Sequence, residues 1–323
     1  MRTFVIDTDT ASDDAVALIM ALRHPDVRVA AITVIAGNVP LEQATRNALY
    51  TVELCDCGEK VPVFAGAGKP LLRKAEHAEW FHGSDGLGNQ DYPPPPGMVK
   101  SGHASDAIVS ACEANPGLTL VTLGPLTNVA IAVARTPEIV KKIDRCVVMG
   151  GNPCCEGNVT PAAEYNIWVD PEAAQIVFRS GMKIELVGWQ LCRGNASLNA
   201  NDIAAVRALD TKLAHFAIDC NRVAMEANEI QSGEIGIALP DPIAMAIALD
   251  PMICTKASSH RVEVETQSEL TRGQTVVDRL NVSKDDRNRG IWNQRNVPEV
   301  SVCWEIDIPR WKELLRQSLR KDG

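Results

Sequence analysis

The sequence predicts an α/β fold, an open and mainly parallel sheet covered by helices on both faces. Three observations carry that expectation. Short β-branched runs alternate with longer stretches of helical spacing, strands such as Cys146-Val147-Val148-Met149 are apolar throughout, and no Ser/Gly linker divides the 323 residues. Alternating strands and helices build parallel sheets, and an all-apolar strand suits a position buried on both sides.

Taken in order, Thr3 to Ile6 reads as the first strand, and Asp13 to His24 as a helix that Pro25 ends. Arg28 to Ile35 is the second strand, closing in Ala36-Gly37-Asn38, and Leu41 to Leu54 is the second helix. Strands follow at Val61 to Phe64, Leu118 to Leu123, Cys146 to Met149 and Ile184 to Val187. Helices follow at Ser105 to Ala114, Leu126 to Ala134, Pro171 to Phe178 and Leu213 to Met225. The stretches 74–100 and 282–296 lack such patterns, and long loops of this kind commonly serve binding sites.

Composition narrows the function. With 32 Lys and Arg against 41 Asp and Glu the formal charge is −9, which sets the chain against phosphate backbones and leaves cationic partners open. No stretch approaches the roughly 18 apolar residues of a membrane span, and Phe4-Val5-Ile6 is too short for an export signal, so a cytoplasmic location is expected. The 10 Cys include no C-x-x-C pair and read as buried or indifferent thiols.

Asp7-Thr8-Asp9-Thr10-Ala11-Ser12-Asp13-Asp14 sets four carboxylates in eight residues between an apolar strand and an apolar helix. Crowded carboxylates take up protons or recruit a cation, and an all-oxygen shell favours a hard divalent ion. Helix capping accounts for one or two of these acids, not four. An EF-hand is excluded, because counting from Asp7 puts Ser12 where the turn glycine belongs and Leu18 where the bidentate Glu belongs.

The pattern strand-D-T-D-x-x-x-D-D-helix resembles the signature of the inosine-uridine-preferring nucleoside hydrolases. An ordered set of further motifs strengthens the likeness: Ala36-Gly37-Asn38, His82-Gly83, Gly124-Pro125-Leu126-Thr127-Asn128, Met149-Gly150-Gly151, the run Gly157 to Asn166, Asp170-Pro171-Glu172 and Asp241-Pro242. The resemblance implies one Rossmann-like domain over residues 1–323 that hydrolyses the N-glycosidic bond of free ribonucleosides. It also implies a homo-oligomer, dimer or tetramer, and places Ca2+ on Asp9, Asp14, Asp241 and the backbone carbonyl of Leu123. Asp9 would be the general base for the attacking water, with Asn38 positioning it and Asp7 supporting the shell from behind. Asp13, Met149, Asn158, Glu164 and Asn166 would hold the ribose.

One departure matters. Pyrimidine and non-specific members carry a His before the last Asp, able to protonate the leaving base, and here that residue is Pro240. The purine-preferring branch instead stacks the base between aromatic rings. Trp80 is the candidate ring, ahead of Trp189 and Trp292, while His82 and His215 are the substitute acids. A weak preference for purines is therefore expected. Two other readings compete. A haloacid-dehalogenase-like phosphohydrolase also opens on D-x-D, with Thr33 as its hydroxyl, but a matching Lys and acidic pair are missing. A non-catalytic nucleoside binder would have no use for an activated water.

Overall fold

In chain order the elements are β1 (Arg2–Thr8), α1 (Ser12–Leu22), β2 (Val27–Val34), α2 (Leu41–Leu54), β3 (Val63–Ala65), α3 (Glu79–His82) and α4 (Ala104–Ala114). Next come β4 (Leu118–Thr122), α5 (Thr127–Arg135), β5 (Ile143–Met149), α6 (Tyr165–Val169), α7 (Pro171–Phe178) and β6 (Ile184–Val187). The last third holds α8 (Ala200–Arg207), α9 (Lys212–Asp219), α10 (Arg222–Ser232), α11 (Pro240–Leu249), β7 (Cys254–Val264), β8 (Thr275–Val277), β9 (Glu299–Ile306) and α12 (Ile308–Leu319). The computed structural model describes residues 1–58, 60–233, 235–288 and 297–320.

Among the described residues the strands form one sheet in the order β3-β2-β1-β4-β5-β6-β9-β7-β8. Strands β1 to β6 and β9 run parallel, and β7 pairs antiparallel with β9 and β8. The order reverses between β1 and β4, and open sheets of this kind bind ligands beyond the strand ends at such a switch point. Asp9 follows β1 there and Leu123 follows β4. The expected mainly parallel α/β fold is the observed one.

Two helices place the acids. Residues Ser12 to Ala21 of α1 and Asp241 to Leu249 of α11 are buried on every face, because both helices lie between the sheet and outer helices. An all-round apolar sequence suits that position. The two pack on each other, bringing Asp13 and Asp14 together with Asp241 in their first turns. Carboxylates there also face the positive end of each helix dipole. Pro240 opens α11 at its first position, where its fixed φ and missing N–H cost nothing.

The structure corrects one element. The helical run expected over Leu213 to Met225 is broken at Cys220 and Asn221 into α9 and α10. All ten cysteines are free, six of them buried. Among the described residues no helix is long and apolar enough to cross a membrane.

Candidate active site

Asp9 sits just past β1, fully buried. Its Oδ2 accepts the Asn38 backbone N–H at 2.6 Å, while Oδ1 is buried without a partner. A Cβ on either Gly37 or Gly124 would run into this carboxylate, so glycine at both positions lets the loops after β2 and β4 close on it. Asp14 accepts from the Thr8 hydroxyl at 2.6 Å and from the Ala11 N–H at 2.9 Å. Its carboxyl also touches those of Asp9 and Asp241. One oxygen each from Asp13, Asp14 and Asp241 lie within 4.8 Å of one another.

Burial raises the pKa of all four acids, and repulsion from neighbouring carboxylates adds to it for Asp9, Asp13 and Asp241. Asp13 is pushed up to about 7. Asp7, behind them, accepts from Thr33 and Asn128 and is likewise raised to about 7 by burial. Thr33 thus spends its hydroxyl inside the sheet, which removes the residue the phosphohydrolase reading relied on.

The far wall comes from the segment after β5. Glu164 caps α6, accepting the Asn166 N–H at 2.9 Å through Oε1 and the Gly151 N–H at 2.7 Å through Oε2. Burial nevertheless lifts its pKa to about 7. Asn166 Nδ2 donates to the Leu123 carbonyl at 2.8 Å and lies 3.4 Å from the Met149 carbonyl. Asn158 Oδ1 accepts the Tyr165 N–H at 2.9 Å. Leu123 therefore already has one partner, and a carbonyl oxygen has a second lone pair for another.

These groups line one pocket. Its lining combines the polar Asp13, Asn38, Asn158, Glu164, Asn166 and Asp241, together with Leu123 and Met149, with the apolar Trp80, Phe81, Trp189, Ala224, Ala238 and Pro240. The segment carrying Trp80 is latched at three points. The Tyr165 hydroxyl donates to the Glu76 carbonyl at 2.9 Å, His77 Nδ1 to that of Gly37 at 2.7 Å, and the Ala78 N–H to that of Asn38 at 2.9 Å. Trp80 itself is 61% exposed, so it covers the pocket instead of filling the core.

Two histidines came out differently. His82 lies at the end of α3, buried, with Nδ1 2.9 Å from the Ser12 hydroxyl. Burial pushes its pKa down to about 3, so the ring is neutral at ordinary pH. A neutral His82 is not an imidazolium acid for the leaving base. His215 bonds Asp210 at 3.0 Å and does not line the pocket, which removes it as a substitute acid. Trp292 and the latter part of the 282–296 loop lie outside the described residues.

Trp189 lines the pocket alongside Trp80, and Phe81, Tyr165 and Asn221 join them without being expected from the sequence. Trp189 directly follows β6 and Gly188, a strand end at the ligand-binding edge, and that position was the signal available.

The chain matches the family model described as inosine-uridine preferring nucleoside hydrolase over residues 4–313. It is 36% identical over 318 residues to a pyrimidine-specific ribonucleoside hydrolase of Salmonella paratyphi A, covering 98% of this chain and 97% of the relative. Its fold superposes on a plant nucleoside hydrolase with a TM-score of 0.92 at 32% identity, covering 99% of both chains. A purine-preferring ribonucleoside hydrolase from Gardnerella vaginalis gives a TM-score of 0.88 at 29% identity, covering 98% of both.

Proposed function

The chain belongs to the inosine-uridine preferring nucleoside hydrolase family, and from that premise we propose that it hydrolyses free ribonucleosides by Asp9-assisted attack of water, with Ca2+ in the acidic site and some preference for purines. The observation that carries this is a pocket lined by Asp13, Asp241 and Glu164, with Asp14 clustered against Asp13 and Asp241 and the buried Asp9 keeping Oδ1 unpaired.

The donor set fits a hard divalent cation. Carboxyl groups in mutual contact need either shared protons or a cation between them, and Asp9 and Asp13 each keep a buried oxygen without a partner. Asp9, Asp14, Asp241 and the Leu123 carbonyl would hold the ion, with Asp13 adjacent. When bound, calcium supplies a local positive charge that orients water and makes it more acidic.

The chain's own groups do the rest. Asp9 is pinned through Oδ2 by Asn38, which leaves Oδ1 to take the proton from the attacking water. Asp13, Asn158, Glu164 and Asn166 line the part of the pocket that would receive the ribose hydroxyls. Their carboxylates also favour the positive charge that grows on the sugar as the glycosidic bond breaks. Pro240 has no proton for the departing base, and His82 is neutral. Stacking against Trp80, with Phe81 and Trp189 nearby, would leave the base open to protonation from solvent. An extended purine gains more from such rings than a pyrimidine does, at about 1 to 3 kcal/mol for one stacked base.

Release of reducing sugar from a nucleoside panel tests the preference. Inosine and guanosine are expected to show higher kcat/KM than uridine and cytidine, and Trp80→Ala to raise the KM for inosine by about tenfold. Uridine or cytidine turning over with the higher kcat/KM would overturn the purine preference and leave the hydrolase reading standing.

The cation has a separate signature. Asp13 and Glu164, raised by burial from 3.8 and 4.5 to about 7, bind protons in the folded state that the unfolded chain has already released. This contribution is complete below the unfolded values and lost as pH rises through the folded ones. Protein stripped of divalent ions should therefore lose Tm between about pH 5 and about pH 8. Added calcium should raise Tm most at the upper end, where protons no longer compete for the carboxylates. A calcium increment that is absent, or largest at the acidic end, would contradict a cation site here.

A further inference from the structure

Asn221 stands in the turn between α9 and α10 and is fully buried, yet it lines the pocket one helical turn before Ala224. Its amide is anchored on one side only. Nδ2 donates to the Ala217 carbonyl at 3.0 Å and lies 3.4 Å from the Cys220 sulfur. The backbone N–H and C=O are taken up by Ile218 and Met225. Oδ1 has no partner. Turning the amide over would set Oδ1 against the Ala217 carbonyl, oxygen facing oxygen, so the orientation is fixed by its own bonds.

A buried acceptor left unpaired is costly, and such groups call for an explanation. The neighbourhood supplies one. Asn221 is the N-cap residue of α10, and α10 packs against α3, the helix that carries Trp80 and Phe81, so Asn221 lines the pocket from the element packed on those rings. None of the bonds holding Asp9, Asp14 or Glu164 involves it. In an apolar cleft, one acceptor with a fixed direction selects for a donor.

We propose that Asn221 is a specificity-determining residue whose Oδ1 accepts a hydrogen bond from a ring N–H of the nucleobase. The pocket then favours bases with a lactam or imide proton, such as hypoxanthine, guanine and uracil. Methylation of that nitrogen removes the donor and leaves the buried acceptor unpaired, the situation in which polar sites discriminate most strongly. This rests on the nucleoside-hydrolase reading and names the substrate class within it.

The test compares ribose release from inosine and 1-methylinosine, and from guanosine and 1-methylguanosine. The wild-type protein should lose at least about tenfold in kcat/KM on methylation, a comparison that needs no variant. Asn221→Leu keeps the side-chain volume and removes the acceptor. It should lose about tenfold on the unmethylated nucleosides and treat each pair within about twofold. Wild-type protein that hydrolyses both members of a pair equally overturns the proposal. So does a leucine variant that keeps the full discrimination, since the methyl group would then be excluded by its size. If wild-type protein releases ribose from no nucleoside, the hydrolase reading falls and takes this proposal with it.

Discussion

Asp9→Ala is expected to lower kcat on every ribonucleoside by about 10^3- to 10^4-fold, at the upper end of what a positioned general base contributes. The local geometry supports a loss this large. Gly37, Gly124 and the Asn38 N–H leave the carboxylate no freedom to turn, and its Oδ1 has no hydrogen-bond partner in the protein. Because Asp9 would also hold the cation, the variant needs two readouts. Turnover should fall by the full factor, while inhibition by free ribose should stay within a few-fold of wild type, since Asp13, Asn158, Glu164 and Asn166 are untouched. A variant within about tenfold of the wild-type rate would assign the proton transfer to another group.

The second large effect concerns the sugar. 2′-Deoxyinosine should be hydrolysed with kcat/KM at least about 10^3-fold below that of inosine, because buried polar groups built to meet a hydroxyl are left unpaired when it is missing. Glu164 and Asp13 are the groups in question. Both are buried; Asp13 Oδ1 has no partner in the protein, and each Glu164 oxygen, held by backbone N–H groups, keeps acceptor capacity for a hydroxyl. Steady-state rates on the two nucleosides decide this. A ratio near unity would remove these acids from ribose recognition.

Much of this site is legible in the sequence, for a physical reason. Four acids between an apolar strand and an apolar helix conflict with the local rules of burial, and such conflicts mark functional positions. Asp241 could be joined to them only through motif order, since the packing of α1 on α11 leaves no local trace. Elements with sharp punctuation were equally readable: Leu41–Leu54 follows Pro40, and Pro171–Phe178 opens on a proline capped by Asp170. The break at Cys220 and Asn221 was not, because neither glycine nor proline marks it. Strand Cys254–Val264, between β9 and the short β8, was missed as well. Its Thr255-Lys256-Ala257-Ser258-Ser259 stretch is exposed, and its conformation comes from pairing with Glu299–Ile306 instead of from apolar patterning.

Buried acids that hold a cation needed for water to attack the ribose make turnover depend on that ion. The most direct measurement is ribose release from inosine in phosphate-free buffer, before prolonged chelation, after it, and after calcium is returned. Turnover should be lost in protein shown by elemental analysis to be metal-free and should recover on adding calcium. Metal-free protein that hydrolyses inosine at the original rate would contradict it.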